Sequence, residues 1–430
     1  MWIKNSVFYQ IYPLGAFGAP FHNDGVLEHR ILKAKAYIEP LKKLGIDCVL
    51  FNPLFQSKTH GYDTTDYFTV DCRLGTNQDL ADVLNLYYEQ GIRVLFDGVF
   101  NHVGRDFFAF QDVLTNRESS EYRDWFYIDF NNNNEYDDHF SYQNWEGYSA
   151  LVKLNLRCES LITYLLDVID FWMDTFHIDG IRFDVAYCLD RDFVKRVRSH
   201  CKHKNPDFFL LGETLHGDYN QWVNEEMFDS CTNYECYKGL YSSFNSKNFF
   251  EILYSYNRQF GKDPWCLYTN KYLLNFVDNH DVPRIASQLE NVNHLPLIYT
   301  MLITMPGIPC LYYGSEWGIQ GIKNHDDTQL RPQIESLKYN ELTSHIERLI
   351  HIKHEYQDLW YGDYQQIAIT NTACVYQRGQ LWICINMEAD PCRLSLPWSG
   401  TLKDLLSGNE IDIQQSITMD GYHSYILKKD

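Results

Sequence analysis

Gly180-Ile181-Arg182-Phe183-Asp184 reads as a short apolar strand that carries a guanidinium in its middle and closes on a carboxylate. Side chains alternate across a strand, so Arg182 and Asp184 lie on one face. Three other runs end the same way. Val94-Leu95-Phe96-Asp97 leads into Gly98-Val99-Phe100-Asn101-His102, Phe209-Leu210-Leu211-Gly212 stops at Glu213, and Asn275-Phe276-Val277 stops at Asp278-Asn279-His280-Asp281. Working outward, eight strand-like runs are found: Val7–Ile11, Cys48–Phe51, Val94–Asp97, Ile181–Asp184, Phe208–Glu213, Phe228–Asn233, Leu273–Val277 and Cys310–Tyr313. Between them stand segments with apolar residues at three- and four-residue spacing, among them Ile31–Leu44, Leu80–Tyr88, Leu161–Phe176, Phe193–His200 and Phe249–Phe260. Such alternation predicts an α/β fold, a (β/α)8 barrel of eight strand–helix units. In such barrels the active site lies at the C-terminal strand ends, where these charged residues fall.

Two regions depart from the rhythm. From 103 to 160 the chain is rich in Asn, Asp, Tyr and Phe, includes Asn131–Asn134, and is too long for an ordinary connection, so an inserted subdomain is expected there. The barrel then occupies 1–102 and 161–357. From 358 to 430 short alternating runs such as Ala373–Gln377, Leu381–Asn386, Arg393–Leu396 and Tyr422–Leu427 predict a C-terminal antiparallel β-sandwich domain.

Composition narrows the function classes. Of 430 residues, 57 are Asp or Glu and 37 Lys or Arg, a formal net charge of −20 that repels nucleic acid and anionic membranes. No apolar run reaches the roughly 20 residues of a membrane span, and the start resembles no secretory leader. Twelve cysteines are scattered from Cys48 to Cys392 without a CxxC pair, the pattern of reduced thiols. A cytoplasmic protein is expected. Aromatics reach 16%, a composition suited to stacking on sugar rings.

The four strand-end segments resemble the signature regions of the α-amylase family, glycoside hydrolase family 13. Asp97, Asn101 and His102 match the first region, Arg182 and Asp184 the second, Glu213 the third, and His280 with Asp281 the fourth. His60-Gly61-Tyr62-Asp63 is similar to the segment after the family's second strand. Gly307-Ile308-Pro309 with Tyr313-Gly314 is similar to its eighth-strand region. The resemblance runs from about Ser6 to the C-terminus and implies a retaining hydrolase of α-glucosidic bonds. Asp184 is then the nucleophile, Glu213 the general acid/base, and Asp281 the residue that grips the distorted ring, with the two reacting carboxyls roughly 5–5.5 Å apart. Arg182 is expected to keep Asp184 ionised, while Glu213, which must be protonated to act, is expected beside other carboxylates such as Asp281. The resemblance further implies that His102 and His280 bind the same sugar and that Tyr62 stacks beneath it. Asp327 and Arg331 add non-reducing-side contacts. Trp145 is read either as an acceptor platform that overhangs the site from the insert or as a hydrophobic anchor for the insert. Asp97 and Asn101 are structural.

Many family members hold calcium between insert and barrel through a carboxylate, but Leu151-Val152-Lys153-Leu154-Asn155 puts Lys153 at that place, and an ammonium cannot ligate a cation. Asp184 is followed by Val185-Ala186-Tyr187-Cys188, without the histidine that supplies a second calcium contact. No cofactor and no metal are therefore expected, with Lys153 itself linking insert to barrel. The same segments are similar to the neopullulanase, cyclomaltodextrinase and maltogenic amylase branch. Its members carry an extra N-terminal β domain used to dimerise, whereas this sequence begins on the first barrel strand, so a monomer or weak homodimer is expected. The expected substrates are maltodextrins, cyclodextrins or related α-glucans. Transglycosylation, α-1,6 cleavage and a non-catalytic sugar-binding role are the competing readings.

Overall fold

The computed structural model describes residues 1–323 and 327–428. The eight expected strands all form: β1 (Phe8–Ile11), β2 (Cys48–Phe51), β3 (Arg93–Gly98), β4 (Gly180–Phe183), β5 (Phe209–Gly212), β6 (Ser230–Cys231), β7 (Leu274–Asn275) and β8 (Ile308–Tyr312). They pair in parallel in the order β6-β5-β4-β3-β2-β1-β8-β7. A parallel bridge between Thr232 and Leu274 joins the two remaining edges, so the sheet closes into a barrel.

The two-residue period sorts each strand's side chains. Phe8, Cys48, Leu50, Leu95, Phe209, Leu211, Leu274, Ile308 and Cys310 pack together inside the barrel. Their neighbours Tyr9, Val49, Phe51, Val94, Phe96, Ile181, Phe183 and Leu210 pack outward in the larger core shared with the helices. Burial on both faces is why the strands read as continuous apolar runs. Further along the same inward rows the residues turn polar: Gln10 follows Phe8, Asn52 follows Leu50, Asp97 follows Leu95, and Glu213 follows Leu211. Arg182 is in register with both Asp97 and Leu211.

The helices that cover the barrel include α1 (Ile38–Leu44), α2 (Asn77–Glu89), α3 (Glu159–Phe176) and α4 (Arg191–Lys204). A reciprocal capping box of Thr76 and Asp79 starts α2, and the Asp190 side chain caps α4. The regular alternation then breaks. Between β5 and β6 there is only a 3-10 turn, Tyr219–Gln221, whereas two helices, α5 (Tyr234–Asn245) and α6 (Phe249–Phe260), lie between β6 and β7. Polar Asp218 and Gly217, at φ 94°, interrupt the first of these connections, which is too short for a helix of several turns. Helices α7 (Leu295–Thr304) and α8 (Glu341–Glu355) flank β8. Among the described residues no helix is long and apolar enough to cross a membrane.

The insert is anchored to the barrel from its first residues, because His102–Gly104 pairs antiparallel with Tyr148–Lys153. That strand turns back on Asn144–Trp145 through Glu146 (φ 47°) and Gly147 (φ 90°), the two-residue turn with positive φ that tight hairpins favour.

The C-terminal region holds β9 (Tyr364–Ile369), β10 (Ala373–Arg378), β11 (Leu381–Asn386), β12 (Cys392–Asp404), β13 (Glu410–Met419) and β14 (His423–Lys428). All six lie in one antiparallel sheet, ordered β9-β10-β11-β14-β12-β13, which folds over so that β9 and β10 come against β12 around a shared core of Val375, Cys384, Leu394 and Ile413. The long β12 joins the two halves: Lys403 and Asp404 pair with β14, Cys392 to Ser395 and Ser399 to Lys403 pair with β13, and an irregularity between Ser395 and Ser399 bends it. Two buried basic side chains brace this region against the barrel. Lys353 donates to the carbonyls of Ile303 and Leu359 at 2.8 and 2.9 Å, and Arg378 donates to those of Thr304, Leu359 and Gly362. Ile303 and Thr304 end α7, where helix carbonyls lack partners and favour positive charge.

Candidate active site

The polar ends of the inward rows meet on Arg182, which is 2% exposed. Its Nη1 lies 2.6 and 2.7 Å from the two oxygens of Asp97 and 3.3 Å from Asp184 Oδ1, while Nη2 lies 2.9 Å from Glu213 Oε1. One guanidinium thus holds three carboxylates from three adjacent strands. The second oxygen of Glu213 accepts the backbone N–H of Val185 at 2.9 Å, and Tyr234 O–H donates to Oε1 at 3.3 Å. To present that N–H, Val185 sits at φ 40°, a left-handed conformation that a β-branched residue rarely adopts.

Asp97 continues the network sideways. Tyr62 O–H and Asn52 Nδ2 both donate to its Oδ2 at 2.9 Å. The Tyr62 ring stacks on His280 with centroids 5.5 Å apart and planes 9° from parallel. Gln10 Nε2 donates to His280 Nδ1 at 2.9 Å, which leaves the ring proton on Nε2, 2.9 Å from Asp281 Oδ2. Arg331 closes the far side, with Nη2 3.0 Å from Asp281 Oδ1 and 3.4 Å from Asp327 Oδ2. Lys323 Nζ donates to the Asp281 carbonyl at 2.7 Å.

These surroundings set the charges. Burial and the neighbouring Glu213 carboxylate push Asp184 well above the usual carboxylate range, and Arg182 only partly opposes them. Arg182, 3.3 Å away, is the cation that favours the ionised form of Asp184 against burial and its acidic neighbours. Asp281 behaves oppositely. Partial burial works against its charge, but His280 and Arg331 hold it below the ordinary carboxylate range. Burial pushes His102 down to about 3, so this imidazole is neutral.

The structure therefore brings Asp97, Arg182, Asp184, Glu213, Tyr62, His280, Asp281, Asp327 and Arg331 into one bonded chain. Asn101 and His102 stand beside it, with Asn101 Nδ2 3.1 Å from His102 Nδ1, and the buried His102 Nε2 has no partner among the described residues. Trp145 is half-buried, its ring 5.9 Å from His102 and stacked on Tyr148 at 5.6 Å. Lys153 differs from the expected link. Among the described residues its ammonium makes no hydrogen bond or ion pair; it lines a cavity of about 430 Å³ with Asn101, Tyr127, Arg157, Cys188 and Asp190. No group of three or more His, Cys, Asp or Glu among the described residues is placed to hold a metal ion.

Several members of the site escaped the sequence reading. Gln10 and Asn52 carried a legible signal, being polar residues on otherwise apolar inward rows. Asn279 lay inside the fourth strand-end cluster, whereas Tyr234, joined to it at 3.1 Å, carried no signal, since its position depends on how α5 starts behind β6.

A catalytic-domain profile described as alpha amylase, catalytic domain, matches residues 35–400. The chain belongs to the α-amylase family. Within that family it is 31% identical over 437 aligned positions to a cyclomaltodextrinase of Geobacillus thermopakistaniensis, covering 92% of this chain and 71% of that protein. It is 30% identical to neopullulanase 2 of Thermoactinomyces vulgaris, covering 99% of this chain and 78% of that protein. Among solved α-amylase-fold structures, the type III pullulan hydrolase of Thermococcus kodakarensis superposes with a TM-score of 0.85 at 26% identity, covering 100% of this chain and 82% of that one. Some curated relatives are matched over less than two thirds of their length, as with the maltogenic α-amylase of Bacillus acidopullulyticus, 63% of which is covered.

Proposed function

We propose that this protein hydrolyses α-1,4-glucosidic bonds of maltodextrins, cyclodextrins or related α-glucans, with retention of configuration at the anomeric carbon. The observation that carries the reading is the single Arg182 guanidinium shared by Asp97, Asp184 and Glu213 at the C-terminal ends of neighbouring strands. The names of the relatives, cyclomaltodextrinase and neopullulanase, support the substrate class.

In this reading an Asp184 oxygen attacks the anomeric carbon as the glycosidic C–O bond breaks, and the departing oxygen takes the proton of Glu213. Water then gives a proton back to Glu213 while its oxygen displaces Asp184, and the free carboxylate is regenerated. Arg182 and Asp97 hold the two reacting carboxyls in place. Asp281, kept ionised by His280 and Arg331, accepts hydrogen bonds from the flattened ring and faces its developing positive charge. Neutral His102, with Nε2 free of protein partners, donates to a sugar hydroxyl. Tyr62 underlies the same ring, and Asp327 with Arg331 bounds the non-reducing side.

A second reaction, transfer to a sugar hydroxyl in place of water, is favoured by the Trp145–Tyr148 pair. These stacked rings on a rigid hairpin offer an acceptor sugar an aromatic face. The cysteines are all unpaired, which supports a reducing, cytoplasmic setting. Lys153 in the calcium position supports activity without a metal ion.

The test is a time course on maltohexaose, β-cyclodextrin and pullulan, with the first-formed anomer followed by proton NMR. The α-anomer is expected first; β-anomer first would refute retention. Asp184→Ala should retain less than about a hundredth of the turnover, since nucleophile loss costs several powers of ten. Higher residual turnover would remove Asp184 from its role.

A further inference from the structure

Behind the loop that carries Asp281 lies a group of polar side chains that no step above uses. Arg284, Asp278, Glu316, Tyr37 and Tyr299 are all buried. Six of their atoms have no hydrogen-bond partner among the described residues: Arg284 Nε and Nη2, Asp278 Oδ1, Glu316 Oε2, and the hydroxyls of Tyr37 and Tyr299. These groups are neighbours. Asp278 Oδ2 and Arg284 Nη1 both bond the Ser315 hydroxyl, Glu316 is the next residue, and Tyr9, which donates to Glu316, packs against Tyr37 with ring centroids 6.5 Å apart; Tyr299 lies within the electrostatic reach of Asp278, Glu316 and Arg284. Buried polar atoms are almost always paired, so six orphans in one place demand a common partner. The mixture decides its chemistry: the guanidinium would repel a cation and the two carboxyls an anion, whereas water both donates and accepts.

We propose that these side chains enclose a cluster of internal water molecules that positions Asp281. The inference rests on Asp281 being the residue that grips the reacting ring. Asp278 stands three residues before it, and Asp278 Oδ2 accepts both the Ile285 backbone N–H at 2.8 Å and the Ser315 hydroxyl at 2.7 Å. The two ends of the loop that bears His280 and Asp281 are thereby clamped to each other and to the segment after β8. Ser315 Oγ in turn accepts from Arg284 Nη1 at 3.0 Å, and the same nitrogen donates to the Tyr313 carbonyl at 2.6 Å. Arg284 is further held against the Tyr312 ring, 4.0 Å from its centroid, and its backbone N–H donates to Gly321 O at 2.9 Å. Glu316 reaches across to β1, where Tyr9 O–H donates to its Oε1 at 2.7 Å. These contacts tie the loop to the segment after β8, and that segment to β1. Water linking Arg284 to Asp278 and Glu316 completes the clamp, so Arg284 and Asp278 act as positioning residues.

The test compares Arg284→Met, Asp278→Leu, the double variant and Asp281→Asn in the full-length protein, well below each melting temperature. Each single change at the clamp is expected to lower kcat on the order of 100-fold, the effect of misplacing a catalytic group by about 1 Å, with KM little changed. Affinity for a cationic iminosugar should fall in parallel, whereas affinity for maltose should not, a split that loss of fold does not produce. The double variant should lose less than the two singles combined, because both charges leave together. A high-resolution crystal structure should show ordered waters bridging Arg284 Nε to Asp278 Oδ1 and Glu316 Oε2. Wild-type kcat in both singles, equal loss of maltose and iminosugar affinity, or a dry or ion-filled chamber would each overturn the proposal. Asp281→Asn separates the two ideas: if it keeps wild-type activity, the assignment of Asp281 fails; if it is inactive while the clamp variants are normal, only the chamber fails.

Discussion

Replacing Arg182 by Met should destabilise the protein more than it would a typical buried residue, and by an amount that depends on pH. Arg182 is in contact with Asp97, Asp184 and Glu213, and its side chain is 3% exposed. Removing one partner of a buried ion pair costs about 3–5 kcal/mol, because the other charge stays buried without compensation. Here three carboxylates share the lost cation, so the upper end, ~5 kcal/mol, is expected near neutral pH. Asp184 sets the pH dependence. Burial and Glu213 already push it up, and the variant removes the cation that opposed them. A carboxyl raised in the folded state contributes stability that is complete below its unfolded value, ~3.9, and disappears as pH rises through the folded value. The gap between wild type and Arg182→Met should therefore be widest at pH 8 and shrink toward pH 5. Urea unfolding followed by tryptophan fluorescence at both pH values measures it, with Arg182→Lys expected to fall between, since a point charge cannot bridge three carboxylates. A loss below about 1 kcal/mol at pH 8, the size of an exposed pair, or an equal loss at both pH values would refute the reasoning.

Four further outcomes are expected. Val185→Gly should melt at or above the wild-type temperature, because glycine adopts φ 40° without the strain valine bears, whereas Val185→Pro should cost ~3 kcal/mol or more by forbidding that angle and deleting the N–H that Glu213 accepts. His102→Asn should remove ~1.4 kcal/mol of destabilisation per pH unit between 6.5 and about 3, the window in which the unfolded imidazole binds a proton that the buried one refuses; an unchanged slope against wild type would show that His102 titrates normally. Glu213→Gln should lose far more activity on maltotriose than on an activated aryl glucoside, whose leaving group needs little protonation, and equal losses would exclude the acid role. A calcium chelator should leave activity and melting temperature unchanged, since Lys153 lines the cavity where a ligand carboxylate would stand; a fall of several degrees, on the scale of ~1 kcal/mol or more, would mean that other oxygens hold an ion.

The sequence reading succeeded where a strict period ties neighbouring residues together, and failed where distant segments meet. Arg182 and Asp184 could be placed on one face, and the eight strands recognised, because a strand buried on both sides leaves a continuous apolar run with a fixed two-residue alternation. The same alternation would have led to Gln10 and Asn52, had it been followed from Phe8 and Leu50 to the first polar residue on each row. No local pattern announces Tyr234, whose hydroxyl reaches Glu213 only because α5 begins beside β5 and β6. The missing helix between β5 and β6 and the sharing of β12 between two neighbours escaped for a related reason. Propensity marks elements but does not say which edges pair, and β12 is long enough to serve two neighbours.

The charge of Asp184 shows the deeper limit. From the sequence, an arginine two residues away on the same face argues for an ionised carboxylate. The folded protein surrounds that arginine with two more acids and removes the water, so burial and Glu213 push Asp184 up against the pull of Arg182. Identity and order of residues therefore locate the reacting groups. Their protonation is a property of the closed barrel, since desolvation and the count of charges around Arg182 arise only when β3, β4 and β5 lie side by side. The strained Val185 belongs to the same level of organisation. Its left-handed backbone is tolerable only because the N–H it presents meets the Glu213 carboxylate across the next strand, so strain, hydrogen bond and charge are settled together at the rim.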